Sequence, residues 1–173
     1  MTIRRRARIG WREWVALPDL GVSRIKAKID TGARSSALHA FAVERVKRRG
    51  KDLVRFAIHP IQRSSRREVV AEAEMIDERI VRSSNGVHAL RPVIITRLEL
   101  LGDAWQIELT LASRDEMGFR MLLGRQAMRG RFLIDPGRSY MAGRPGQVQT
   151  AVTPEVVLAP APVTTARASR RPI

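Results

Sequence analysis

Short apolar-alternating runs separated by turn residues constrain this chain more than any other feature. Leu98-Glu99-Leu100-Leu101 and Trp105-Gln106-Ile107-Glu108-Leu109-Thr110-Leu111 alternate cleanly, with Gly102-Asp103 turning between them. Ile76 to Val81 and Val87 to Ile95 flank Arg82-Ser83-Ser84-Asn85-Gly86, and Asn-Gly between apolar runs is a strong hairpin signal. Trp14 to Leu17 reads as an opening strand ended by Pro18-Asp19-Leu20-Gly21. Leu53 to Ile58 reads as a strand stopped by Pro60, and Glu68 to Ala73 as another. Residues 37 to 46 mix helix and strand signals and are assigned to neither. Many short strands at this spacing predict an all-β barrel or sandwich.

Ile25-Lys26-Ala27-Lys28-Ile29 is a half-buried strand by its alternation, and it runs straight into Asp30-Thr31-Gly32-Ala33. An acid, a hydroxyl and two small residues at a strand end suit a carboxylate held in a tight turn. Gly32 allows close approach of the backbone, nearby N–H groups can bond the carboxylate, and Thr31 can brace the turn. An ordinary Asp-Gly type turn is the other reading of these four residues.

A second segment lies further along. Met121-Leu122-Leu123-Gly124-Arg125 is a short apolar run closed by glycine. Gln126-Ala127-Met128-Arg129 then reads as one or two helical turns, and Arg131-Phe132-Leu133-Ile134-Asp135 as a returning strand. Asp-Thr-Gly-Ala after one apolar strand, followed later by Leu-Leu-Gly-Arg and a short helix, resembles the retropepsin-like aspartic peptidases. Within these the chain is similar to a bacterial family that carries both a retropepsin-like label and an ATP-dependent zinc protease label. Gly10-Trp11-Arg12-Glu13-Trp14-Val15, Val81-Arg82-Ser83-Ser84, Arg91-Pro92-Val93 and the stretch from Arg114 to Arg125 extend the likeness, which covers about residues 10 to 143.

The resemblance implies a closed, retropepsin-like barrel with one short helix after the Leu-Leu-Gly strand. It implies an aspartic endopeptidase that cuts a peptide or protein substrate. The chain holds one Asp-Thr-Gly, so the second catalytic aspartate is expected from a second copy in a homodimer. In that reading Asp30 is the catalytic acid and base, Thr31 stiffens the paired loops, and Gly32 and Ala33 give backbone access. Leu122, Leu123 and Gly124 support the loop. Arg34 and Arg125 are candidate substrate or loop contacts, with Asp115 a candidate partner for Arg34. Arg82, Ser83, Ser84, Asn85 and Gly86 are the candidate flap. The rival expectation keeps the fold without catalysis, as a peptide- or partner-binding module.

The labels zinc and ATP find no matching residues. His39, His59 and His88 stand apart with no His-Glu-x-x-His spacing, and no Gly-x-x-x-x-Gly-Lys-Ser/Thr loop occurs, so no metal and no cofactor is expected. Ser35-Ser36 and Ser83-Ser84 lack a nucleophile elbow. With no cysteine, thiol catalysis and disulfides are excluded. The net charge of +15 raises nucleic acid as a partner. Apart from Lys26, Lys28, Lys47 and Lys51 every cation is arginine, the arginines are dispersed, and aromatics are only 5%, so only nonspecific polyanion binding is expected. Residues 1 to 9 read as a basic arm. Gly10-Trp11-Arg12-Glu13 interrupts any apolar leader after Arg4-Arg5-Arg6, and no run spans a bilayer, so a cytoplasmic protein without membrane contact is expected. Residues 144 to 173, rich in Pro, Ala, Val and Thr, read as a disordered tail.

Overall fold

A computed structural model describes residues 6–62, 64–82, 86, 88–113 and 118–144. Ser83, Ser84 and Asn85 of the expected flap, Asp115, and the expected tail from residue 145 lie outside the described residues. Among those described, no helix is long and apolar enough to cross a membrane.

The strands are β1 (Ala7–Gly10), β2 (Arg12–Leu17), β3 (Val22–Asp30), β4 (Ser36–His39), β5 (Phe41–Arg48), β6 (Lys51–Ile58), β7 (Val69–Arg82), β8 (His88–Leu100), β9 (Asp103–Ala112), β10 (Met121–Gly124) and β11 (Phe132–Asp135). One short helix, α1 (Arg125–Met128), follows the Leu-Leu-Gly strand. The order β2-β3-β10-β4-β9-β8 closes on itself where Ala16 of β2 pairs with Glu99 of β8. From β8 the sheet continues through β7, β6 and β5 as an open wing. The fold is therefore all-β and retropepsin-like, with a closed ring of strands and, among the described residues, one short α-helix where it was expected.

Alternation places the core. β3 turns Ile25, Ala27 and Ile29 inward and leaves Arg24 and Lys28 exposed. Leu38, Ile94, Leu98, Leu109, Leu111, Met121 and Leu123 meet them inside the ring, each at most 2% exposed. Each such side chain contributes roughly 1.5–3 kcal/mol by leaving water.

Three segments differ from the sequence reading. Residues 37 to 46 divide into β4 and β5, and β5 carries a register shift between Phe41 and Glu44, where Ala42 has φ 48°. The expected strands Glu68 to Ala73 and Ile76 to Val81 merge into one strand, β7, which starts at Val69. Its register shifts between Met75 and Asp77, so a bulge interrupts the alternation without ending the strand. Residues 7 to 9, read as part of the basic arm, lie in β1, which pairs in parallel with β11 and buries Ile9 completely. One buried apolar residue among arginines is too weak a pattern to reveal a strand.

Glu13 fastens this end of the domain. It is fully buried, and its carboxylate accepts N–H bonds from Gly10 at 2.6 Å, Met141 at 3.0 Å and Ala142 at 3.0 Å. Glu13→Gln keeps the shape but turns one acceptor into a donor facing N–H groups. We expect a loss of about 1–3 kcal/mol, seen as a melting temperature lower by several degrees. An unchanged melt would show that the three bonds contribute nothing net.

Candidate active site

Asp30 is the last residue of β3. β10 lies between β3 and β4, parallel to the first and antiparallel to the second, and its register sets Gly124 beside Asp30. The Asp30 carboxylate is tied by one oxygen: Oδ1 accepts N–H bonds from Gly32 and Ala33, both at 3.1 Å. Among the described residues its other oxygen accepts no hydrogen bond.

The loop beyond Asp30 is stitched to β10 and α1. Arg125 N donates to Ala33 O at 2.9 Å and Gln126 N to Arg34 O at 3.0 Å. The Arg125 guanidinium donates through Nη1 to Thr31 O at 2.7 Å and Gly32 O at 2.8 Å. Gly124 N donates to Ser36 Oγ at 3.1 Å, while Thr110 Oγ1 donates to Ser36 O at 2.9 Å. A Cβ on Gly124 would fall 2.4 Å from Ser35 O, so only glycine allows the strand and loop to lie this close. Leu123 is buried beneath, and Leu122 faces the other way, into the cleft.

That cleft has a volume of about 520 Å³ and holds Asp30, Ala33 and Ser35 on one side. Val81 and Arg82, at the end of β7, also line it. Arg82, the first residue of the expected flap, is thus a cleft residue, and Gly86 has φ 82°. Lys28 and Arg91 add positive charge, and Trp11 and Phe119 add an edge-to-face ring pair with centroids 5.8 Å apart. Arg34 is exposed and lines a separate hollow of about 620 Å³ with Thr31, Arg125 and Arg129.

Lower on β7, Arg79 bonds Asp77 at 2.7 Å and Glu108 of β9 at 2.6 Å, bracing the hairpin against the ring. The Arg79 guanidinium, and then the Glu78 N–H, hold the Asp77 carboxyl below its ordinary range, while Arg79 itself is pushed further toward its charged form by Glu108 and Asp77. A depressed carboxyl keeps its tie above its unfolded value of 3.8 and loses it as pH falls through the lower folded value, so the brace persists in mild acid.

Sequence reading did not single out Ser36, Thr110, Lys28, Arg91 or Trp11 as site residues. Two carried a signal. Lys28 is the outward residue just before Asp30, and Arg91 is a lone cation inside the apolar run Val87 to Ile95. The histidines occupy separate places: His39 is buried on β4, His59 packs on Phe41 at 4.3 Å and sits 3.6 Å from Glu68, and His88 is exposed on β8.

A family model described as retropepsin-like aspartic endopeptidase RimB matches residues 8–145. The chain belongs to this RimB-like family. Among curated relatives, a probable alpha-L-glutamate ligase of Shewanella pealeana is 46% identical over 141 residues, which are 82% of this chain and 31% of that protein. A probable alpha-L-glutamate ligase of Parasynechococcus marenigrum is 41% identical over 148 residues, 84% of this chain and 32% of that protein. The chain therefore spans about a third of the curated relatives it matches. A crystal structure of Lpg0085 from Legionella pneumophila, a protein of unknown function, aligns with a TM-score of 0.64 at 26% identity, covering 79% of this chain and 98% of that one. The RimB-like match begins inside β1 and ends just past the last described residue, so it takes in every strand of the ring.

Proposed function

We propose that this RimB-like domain is an aspartic endopeptidase that acts as a homodimer and cuts acidic, glutamate-rich peptides. The observation that carries the reading is the Asp30 carboxylate, anchored through one oxygen in a cleft that is also lined by Val81 and Arg82 at the end of β7. Two copies related by a two-fold axis near Asp30 would place two such carboxylates across one water. A facing pair shares a proton; the ionised partner takes a proton from water and the protonated one polarises the peptide carbonyl. Thr31 and Gly32 are exposed at the rim, which leaves the loop open to a second copy. Closure of the hairpin over substrate would exclude water.

Two observations support an acidic substrate. Lys28, Arg82 and Arg91 line the cleft, where Asp30 is the single acid among the lining residues. Relatives of more than twice this length are named for joining glutamate, and a peptidase domain joined to such a ligase would act on the product of that ligation. The lack of cysteine fits work in a reducing cytoplasm. The ligase name also favours a second reading, in which the domain only holds an acidic chain for modification.

Incubation of the purified protein with glutamate-rich, neutral and lysine-rich decapeptides, followed by mass spectrometry, separates the two. We expect cleavage of the glutamate-rich peptide, with a specific rate that falls on dilution as the dimer dissociates. Binding without cleavage at any pH from about 3 to 8, the range in which carboxyl pairs titrate, would leave the holding module as the function.

A further inference from the structure

β3 carries more than the site aspartate. Its outward residues are Arg24, Lys26 and Lys28, and the next outward position is Asp30 itself. Alternate residues on a strand stand about 7 Å apart, so this row leads to the carboxylate over roughly 20 Å. On β2, Arg12 is directly opposite Lys28. Like charges in that relation destabilise a sheet. Among the described residues none of Arg12, Arg24, Lys26 and Lys28 forms a salt bridge. The open wing is built differently: its Arg48 pairs with Glu72, its Lys51 with Glu74 and its Arg45 with Glu78.

Aromatic rings hold the row in place. Lys26 Nζ lies 5.1 Å from the Trp14 ring and 5.7 Å from that of Tyr140, and the Arg24 guanidinium 5.9 Å from Trp14. The Arg12 guanidinium lies 4.5 Å from Trp11 and 5.0 Å from Tyr140, and donates to Ser139 Oγ at 3.1 Å. Composition gave no reason to expect this interleaving, because the fold brings Tyr140 from the other end of the domain to Trp14 and Arg12. A ring beneath a cation fixes the side chain and leaves its charge uncancelled. Arg24, Lys26 and Arg67 also line a hollow of about 160 Å³ against Trp14, with no acidic residue in its wall. Lys28 lines the Asp30 cleft. The row therefore joins two concavities.

We propose that the outer face of β3 is an anion track that holds an extended acidic peptide on its way to the Asp30 cleft. An extended peptide presents alternate side chains on one face at the same repeat as the cation row. Single-stranded nucleic acid fits less well, since its affinity relies on open ring faces for stacking and here the chain's own cations lie over the rings. The track deepens the peptidase reading and rests on it for the identity of the cleft, but it is tested by binding alone.

The experiment uses the full chain carrying Asp30→Asn, which cannot consume its ligand. Fluorescence anisotropy would compare a labelled glutamate decapeptide, a glutamate tetrapeptide, a serine–glycine decapeptide and a uridine decanucleotide at one salt concentration. Adding Arg24→Glu with Lys26→Glu should weaken the glutamate decapeptide by about tenfold or more, and change the tetrapeptide, which spans only the cleft, by less than about twofold. Arg24→Gln with Lys26→Gln should fall between and covers the case in which charge reversal harms folding, as judged by melting. The decanucleotide should bind more weakly than the decapeptide. Failure of the glutamate decapeptide to bind, an unchanged affinity in a folded variant, or equal losses for long and short peptides would overturn the track. Tighter, track-dependent binding of the decanucleotide would make this a nucleic-acid face. Track-dependent peptide binding by a protein whose wild type cleaves nothing would sink the peptidase reading alone.

Discussion

Asp30→Asn is expected to abolish peptide cleavage while leaving the fold intact. Asparagine can keep its oxygen where Asp30 Oδ1 accepts the Gly32 and Ala33 N–H bonds, so the loop retains its ties. The lost group is the second oxygen, which becomes an amide NH₂ and can no longer take a proton from water. In a homodimer both members of the pair change at once, and no carboxylate remains at the centre. The expected rate loss is at least about 10³-fold, because general acid–base catalysis alone contributes 10²–10⁴-fold and both roles disappear together. The wild-type rate should be bell-shaped in pH with its maximum on the acid side, since a pair that shares one proton works only in that form. Matched melting curves with residual cleavage at background would meet the expectation. Cleavage by the variant at the wild-type rate would place the chemistry elsewhere or in a contaminant.

What could be read from the sequence follows the range of the forces involved. The ring strands were legible because each alternates within its own few residues. Trp105 to Leu111 needs only its own order to show which face is inside, and Gly102, with φ 78°, marks its turn. The Asp30 loop and its Gly124 support were legible as a pair of motifs. The bonds that join them were not: Ser36 Oγ receiving Gly124 N, and Thr110 holding Ser36 O, link residues 88 and 74 positions apart. β1 was hidden because its partner is β11, at the other end of the domain, and because Ile9, its one buried apolar side chain, follows a run rich in arginine. The cation row on β3 was in plain view as alternating lysines. Its meaning depends on Trp14 and Tyr140, which only the closed fold brings together.

Gly124→Ala tests whether the loop must be held as tightly as the structure draws it. Gly124 has φ −82° and ψ 168°, a backbone that alanine adopts freely, so any effect is steric. The added Cβ would lie 2.4 Å from Ser35 O, 2.5 Å from Ser35 C and 2.9 Å from Arg34 O. All three are backbone atoms, and none can turn aside as a side chain would. The loop has to retreat, and retreat lengthens the Arg125 N to Ala33 O and Gln126 N to Arg34 O bonds that position it. Overpacking of this kind costs about 1–3 kcal/mol or more, which lowers the melting temperature by several degrees. The effect on cleavage should be larger, because a displacement of about 1 Å at a reacting group costs on the order of 10²-fold in rate. The same added methyl at Gly118 meets no atom of the described residues within 4 Å and should leave the melt unchanged, which controls for the substitution itself. If Gly124→Ala melts and cleaves like wild type, the loop is looser than its hydrogen bonds imply. Asp30 would then owe its position to its own turn, through Gly32 and Ala33, rather than to the strand beside it.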